Sequence, residues 1–179
     1  MQNFFIVVDM QNDFIDGVLG TKEAQSIVEN VVKRTQQAVY DGDNIIFTRD
    51  THFEDYLSTK EGEFLPVPHC VKGTDGWQII SALKRFELNH MVIDKETFGS
   101  VTLAKIIGEA DKIDPVCRVT LVGVCTDICV ISNAMLIKAT IPNADIRVDA
   151  SCTAGVTPNS HLNALNALKT CHIVIENED

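Results

Sequence analysis

Short apolar runs rich in β-branched residues alternate with longer amphipathic stretches from one end of the chain to the other. The runs Phe4–Val8, Asn44–Thr48, His90–Ile93, Val119–Val124, Asp145–Val148 and His172–Ile175 predict strands. They lack a clean apolar/polar alternation, as strands buried on both faces do. Between them the spacing predicts helices at about Lys22–Tyr40, Trp77–Lys84, Ser100–Glu109, Ile128–Thr140 and Pro158–Thr170. In the first, Ile27, Val28, Val31 and Val32 recur at helical spacing while Glu29, Lys33 and Arg34 supply another face. Asp41-Gly42-Asp43 stops it with turn chemistry, and Thr157-Pro158 sets a capping residue before a first-turn proline to open the last helix. Trp77 is expected to begin its helix and bury against the sheet.

Strand–helix–strand alternation implies an α/β fold, a three-layer α/β/α sandwich around a mainly parallel, Rossmann-like sheet of about six strands. A length of 179 residues fits one domain spanning residues 1–179. In such folds ligands gather beyond the carboxyl ends of the strands. The predicted ends carry Asp9, Asp50, Asp94-Lys95 and the segment Cys125–Cys129, and the only long connection runs from Thr51 to Gly76.

Composition narrows the picture. A hydrophobic fraction of 45% with 22% charged residues describes a globular protein, and a net charge of −10 argues against nucleic acid as a partner. No apolar run approaches the ~20 residues that cross a bilayer, so no membrane role is expected. The strand-like run begins at Phe4 with no basic segment before it, which reads as a chain without a signal peptide and hence cytoplasmic. The six cysteines are then expected to be free thiols, with Cys117, Cys152 and Cys171 as small buried hydrophobes. His90, opening a strand, His161, in the last helix, and His172, starting the final strand, read as surface or packing residues.

The candidate chemistry sits at the strand ends. Cys129 lies where an apolar strand meets a helix, and a helix N-terminus favours the thiolate, the form that attacks carbonyls. Asp9 could take the thiol proton and Lys95 could support the anion. In the long connection, Asp50, His52 and His69 supply nitrogen and oxygen donors suited to a divalent metal; a polar loop with capping histidines is the competing reading. Cys125 and Cys129 could form a dithiol redox pair, but three residues separate them where the redox motif has two.

Five segments together resemble one family: Val7-Val-Asp9-Met-Gln11-Asn-Asp13-Phe14, Thr48-Arg-Asp50-Thr-His52, Pro68-His69-Cys70-Val-Lys-Gly73-Thr74, Lys95-Glu-Thr-Phe98 and Gly123-Val-Cys125-Thr126-Asp127-Ile-Cys129-Val130. In order and over nearly the whole chain, they resemble the isochorismatase-like cysteine hydrolases, and among them the nicotinamidase-type amidases. The resemblance implies Asp9 as general base, Lys95 as the cation supporting thiolate and transition state, and Cys129 as nucleophile. It implies a thioester intermediate, an oxyanion hole from the backbone N–H groups of Cys125 and Cys129, and a cis peptide at Val124–Cys125. Position 125 is usually small in this family, often alanine.

The resemblance further implies a metal site at Asp50, His52 and His69 with a fourth ligand between the last two. No histidine lies there; Glu54, Asp55, Glu61 and Glu63 are the candidates, and Glu61 has the spacing of the glutamate variant. The ion, Zn2+ first with Fe2+ or Mn2+ as alternatives, would bind the pyridine nitrogen and orient the ring, and Phe14 and Phe98 would flank the substrate. The expected activity is hydrolysis of nicotinamide, or a close aromatic amide, to the acid and ammonia, a reaction of NAD salvage, by a homo-oligomer. Leu65-Pro66-Val67 replaces an aromatic that closes the pocket in several nicotinamidases, and the loop Glu54–Leu65 also departs from the histidine-bearing version. A different small amide, or a carbamoyl or ureido compound, therefore stays open as substrate. From another class, a metal-binding or assembly protein without catalysis is the alternative; the intact Asp9, Lys95, Cys129 set argues against it.

Overall fold

The computed structural model describes residues 1–178. Six parallel strands form one sheet in the order β3-β2-β1-β4-β5-β6. These are β1 (Gln2–Val8), β2 (Asn44–Asp50), β3 (Met91–Lys95), β4 (Val116–Val124), β5 (Asp145–Ala154) and β6 (Val174–Glu176). The helices are α1 (Asn12–Ile15), α2 (Lys22–Asp41), α3 (Lys60–Phe64), α4 (Lys84–Glu87), α5 (Val101–Ile113), α6 (Ile131–Thr140) and α7 (Pro158–Thr170).

The central strand shows why the sequence lacks alternation. Phe4, Ile6 and Val8 pack on one face of β1 with Leu103 and Ile107 of α5, Ile137 of α6 and Leu165 of α7. Phe5 and Val7 pack on the other face with Ile27 and Val31 of α2 and with Leu83 and Phe86. Both faces are covered, so every β1 position from Phe4 onward is apolar and buried. The punctuation also holds: Gly42 caps α2 at φ 76, and Thr157 and Ser160 form a capping box at the start of α7, with Pro158 in the first turn.

Several expected boundaries differ. No helix begins at Trp77; a 3₁₀ turn at Ser81–Leu83 leads into the short α4. The backbone there is already committed, since Gln78 O accepts from Asn12 N–H, Ile80 N–H donates to Met10 O, and Ile79 bridges Gln11. Trp77 is nevertheless buried, its Nε1 donating to Thr51 Oγ1 and its face covered by the Arg49 guanidinium at 3.7 Å. His90 and His172 precede their strands; His172 sits in a turn at φ 61. The helix expected over Ile128–Thr140 is split, its first residues forming a π-helical turn over Thr126–Val130. All six cysteines are free, but Cys117 is exposed near the start of β4 and Cys171 half-buried at the end of α7, so only Cys152 of those three is a buried hydrophobe. Among the described residues no helix is long and apolar enough to cross a membrane.

Gly123, next to last in β4, fixes how closely the two central strands approach. It has φ 109, and a Cβ there would lie 2.0 Å from the carbonyl oxygen of Val8. Only glycine fits, and the strand ends that carry Asp9 and Cys125 are thereby held side by side.

Candidate active site

The carboxyl edge of the sheet gathers the expected residues. Asp9 follows β1 in the left-handed region at φ 49, with its N–H donating to Thr48 O at 3.2 Å and its Oδ1 accepting from Thr48 Oγ1 at 2.6 Å. Lys95 ends β3 and reaches across the edge, placing Nζ 2.7 Å from Asp9 Oδ2, 3.0 Å from Asp50 Oδ1 and 3.4 Å from Cys129 Sγ. All five residues are buried.

Electrostatics corrects one expectation. Burial, then the nearby Asp9 carboxylate, pushes the Cys129 thiol well above its ordinary pKa, and Lys95 only partly opposes this. Burial thus works against the thiolate that a helix entrance alone would favour. Burial also raises Asp9, with Lys95 pulling it back down. Desolvation would lower Lys95, but the Asp9 and Asp50 carboxylates hold it well above its usual value, so it stays an ammonium.

The turn that carries Cys129 is itself unusual. The Val124–Cys125 peptide is cis, as the resemblance implied. The Cys125 carbonyl accepts from Ile128 N–H at 3.1 Å and from Val130 N–H at 3.0 Å, the second an i to i+5 bond characteristic of π-bulges at functional sites. Burial, and then Asp127 and Asp9, push the Cys125 thiol up to about 12. Neither thiol has the depressed pKa typical of a dithiol redox pair.

Asp50, His52, Glu61 and His69 offer donor atoms that all lie within 4.8 Å of one another. His52 Nε2 is 3.0 Å from Asp50 Oδ2 and 3.6 Å from Glu61 Oε1; His69 Nε2 is 3.6 Å and 3.8 Å from the same two oxygens. His69 Nδ1 donates to Val67 O at 2.8 Å, which aims Nε2 at the cluster, the usual arrangement behind a metal-ligating imidazole. Burial tends to raise Asp50, but hydrogen bonds from His52 and His69 and the Lys95 charge hold it well below the carboxylate range. Two imidazoles and two carboxylates converging in one buried corner fit a divalent ion of the zinc, iron or manganese type. Glu61 joins them because α3 turns it inward; Glu54, Asp55 and Glu63 fall outside the cluster.

Between the metal corner and Cys129 lies a cavity of about 360 Å³. Phe14 and Phe98 line it, with Phe64, Leu65, Cys125 and Cys129. The Phe14 ring stands 5.6 Å from that of His69. An apolar slot with a thiol at one end and the two-histidine, two-carboxylate cluster at the other suits a small flat ligand with one polar end.

Some residues of the site escaped the sequence. Tyr56 is fully buried, packs edge-on to both His52 and His69 at 4.6 Å and 5.1 Å between centroids, and donates its hydroxyl to Leu65 O. Asn133, fully buried in α6, donates to Cys129 O at 2.8 Å and accepts from Ser100 N–H. A polar residue in the apolar face of that helix was the available signal. His161, read as surface or packing, bonds Thr126 inside the turn that carries Cys129.

The fold and the strand-end thiol, carboxylate and ammonium together define a hydrolase of the isochorismatase type. The isochorismatase domain matches residues 3–179, and the chain belongs to that family. A pyrazinamidase/nicotinamidase from Streptococcus mutans UA159 is 31% identical and superimposes with a TM-score of 0.85 over 97% of this chain and 99% of its own. The pyrazinamidase of Pyrococcus horikoshii, solved in complex with zinc, is 28% identical with a TM-score of 0.83, covering 98% of each chain. An isochorismatase family protein of Bacillus subtilis (strain 168) is 29% identical over 147 residues, 75% of this chain and 78% of its own length.

Proposed function

We propose that this protein is a metal-containing cysteine amidase that hydrolyses nicotinamide, or a close small aromatic amide, to the carboxylic acid and ammonia. The observation that carries the reading is the contact of one ammonium with Asp9, Asp50 and Cys129 at the wall of an apolar cavity whose far end is a two-histidine, two-carboxylate cluster. Relatives named for nicotinamide and pyrazinamide support the substrate class.

The chemistry follows from the protonation states. Asp9 Oδ2 is buried without an aligned hydrogen-bond donor, its nearest partner being the Lys95 ammonium. It is thus the acceptor for the thiol proton as Cys129 Sγ attacks the amide carbon. Lys95 offsets the negative charge that this transfer moves onto sulfur. The backbone N–H groups of Cys125 and Cys129 receive the developing oxyanion. Asp9 returns its proton to the amine, C–N cleavage releases ammonia, and a thioester remains on Cys129. Water, deprotonated by Asp9, then attacks the thioester carbon, giving the acid and restoring the thiol. Asp50, His52, Glu61 and His69 would hold a divalent ion, zinc in the first place, which would supply a Lewis-acid contact for the ring nitrogen of a pyridine substrate. Phe14 and Phe98 sandwich the ring. The same reading has the protein acting in the cytoplasm as a homo-oligomer.

Ammonia release from nicotinamide, run beside pyrazinamide, aliphatic amides and carbamoyl and ureido compounds, tests the substrate. Nicotinamide or pyrazinamide should lead the panel; preference for a carbamoyl compound would overturn the substrate assignment. Elemental analysis before and after chelation tests the metal. Stoichiometric zinc, iron or manganese is expected, with activity lost on its removal and restored on its return.

A further inference from the structure

His161 lies in the first turns of α7, outside the cavity, yet its Nδ1 is 2.8 Å from Thr126 Oγ1. Thr126 is fully buried, and it is the residue immediately after Cys125 in the π-helical turn that carries Cys129. The bond therefore ties α7 to the segment that presents both the thiol and the two backbone N–H groups. Next to it, Val156 N–H donates to Asp127 Oδ1 at 3.1 Å, a second tie between the β5–α7 corner and the same turn. The corner closes tightly because Gly155 has no side chain: a Cβ there would lie 2.8 Å from His161 N. On the turn's other side Asn133 holds Cys129 O. The turn departs from regular helical bonding, so these side-chain ties hold its register where the ordinary i to i+4 ladder does not.

We infer that His161 is a positioning residue for the nucleophile, acting through the Thr126 hydroxyl to fix the Thr126–Val130 turn and with it Cys129 and its oxyanion donors. The inference rests on the reading of Cys129 as nucleophile. His161 touches no reacting atom. Its effect is on geometry, where small displacements of a nucleophile can cost orders of magnitude in rate.

The test uses metal-loaded full-length enzyme with nicotinamide, or the best amide of the panel. H161F and T126V each remove one side of the bond, and H161N keeps a hydrogen-bonding atom near the place of Nδ1. H161F and T126V should each lower kcat about tenfold or more with KM within about twofold, because the ring contacts are untouched. The H161F/T126V double variant should be no worse than the poorer single, since both cut one interaction. H161N should recover most of kcat. Iodoacetamide labelling of Cys129 should slow or quicken in parallel in the two single variants. Unfolding curves separate position from stability: were H161F folded and its kcat unchanged, or were the two losses to multiply in the double variant, the inference would be wrong. A C129A enzyme that still released ammonia would instead defeat the underlying mechanism, whatever His161 does.

Discussion

Lys95 stands at the edge strand of one half of the sheet, while Cys129 follows a strand of the other half, and the lysine stem bridges the gap. Its ammonium lies between two buried carboxylates, so its removal leaves Asp9 and Asp50 facing each other without compensation. K95A should therefore lose both activity and about 3–5 kcal/mol of stability in urea unfolding. C129A should lose turnover and only about 1 kcal/mol. Equal stability of the two variants would contradict the buried-pair account. A second consequence concerns pH. In the proposed mechanism Asp9 acts as base only when ionised, and burial raises its pKa, so the acid limb of kcat/KM should lie above the ordinary aspartate value of about 4. Thr48 donates to the Asp9 carboxylate and so favours the charged form; T48V removes that donor and should move the limb to higher pH. A shift to lower pH would exclude Asp9 as the titrating base. Asp9, Lys95 and Cys129 were legible in the sequence because each is a reactive side chain where an apolar run ends. The protonation state of the thiol was not, since it depends on how deeply the folded chain buries it.

The elements were read more reliably than their junctions. The long apolar runs and the capped helices α2 and α7 carry their own start and stop signals. The π-helical turn at Thr126–Val130 does not, because a hydrophobic period of 3.6 residues is insensitive to one wider hydrogen bond. Ile79, Ile80 and Leu83 mimic one face of a helix, but pairing with Met10 and Gln11 takes the backbone first. The close contact of β1 with β4 is the junction on which the site depends. G123A should destabilise the protein by about 3 kcal/mol or more, since both its backbone conformation and the Val8 carbonyl exclude a Cβ. Residual folded G123A should also be slower than wild type, because Asp9 and the Cys129 turn would part. G42A is the control: its φ is also positive but nothing lies within 4 Å, so a cost of about 1 kcal/mol with kcat intact is expected. Thermal and urea unfolding, with activity corrected for folded fraction, would measure both.

At the scale of the molecule, alternation of strand and helix was enough to give a parallel sheet with two covered faces. The strand order was not legible, and it explains the location of the site. Chain direction across the sheet reverses between β1 and β4, the crevice where parallel α/β sheets bind ligands, and Asp9 and Cys129 flank it. Asp50 and Lys95 approach from the β2–β3 side, together with the metal-ligand set. Glu61 was chosen by spacing within a resemblance; its placement beside two histidines depends on how α3 folds back over the edge, which no local pattern encodes. The central claim is covalent chemistry at one sulfur of this crevice, and rapid-quench mass spectrometry of the enzyme during turnover of nicotinamide tests it directly. The account predicts a transient nicotinoyl adduct on the peptide containing Cys129, formed as ammonia appears and absent from C129A. Ammonia release with Cys129 unmodified throughout, or an adduct on Cys125 or Cys70 instead, would contradict it.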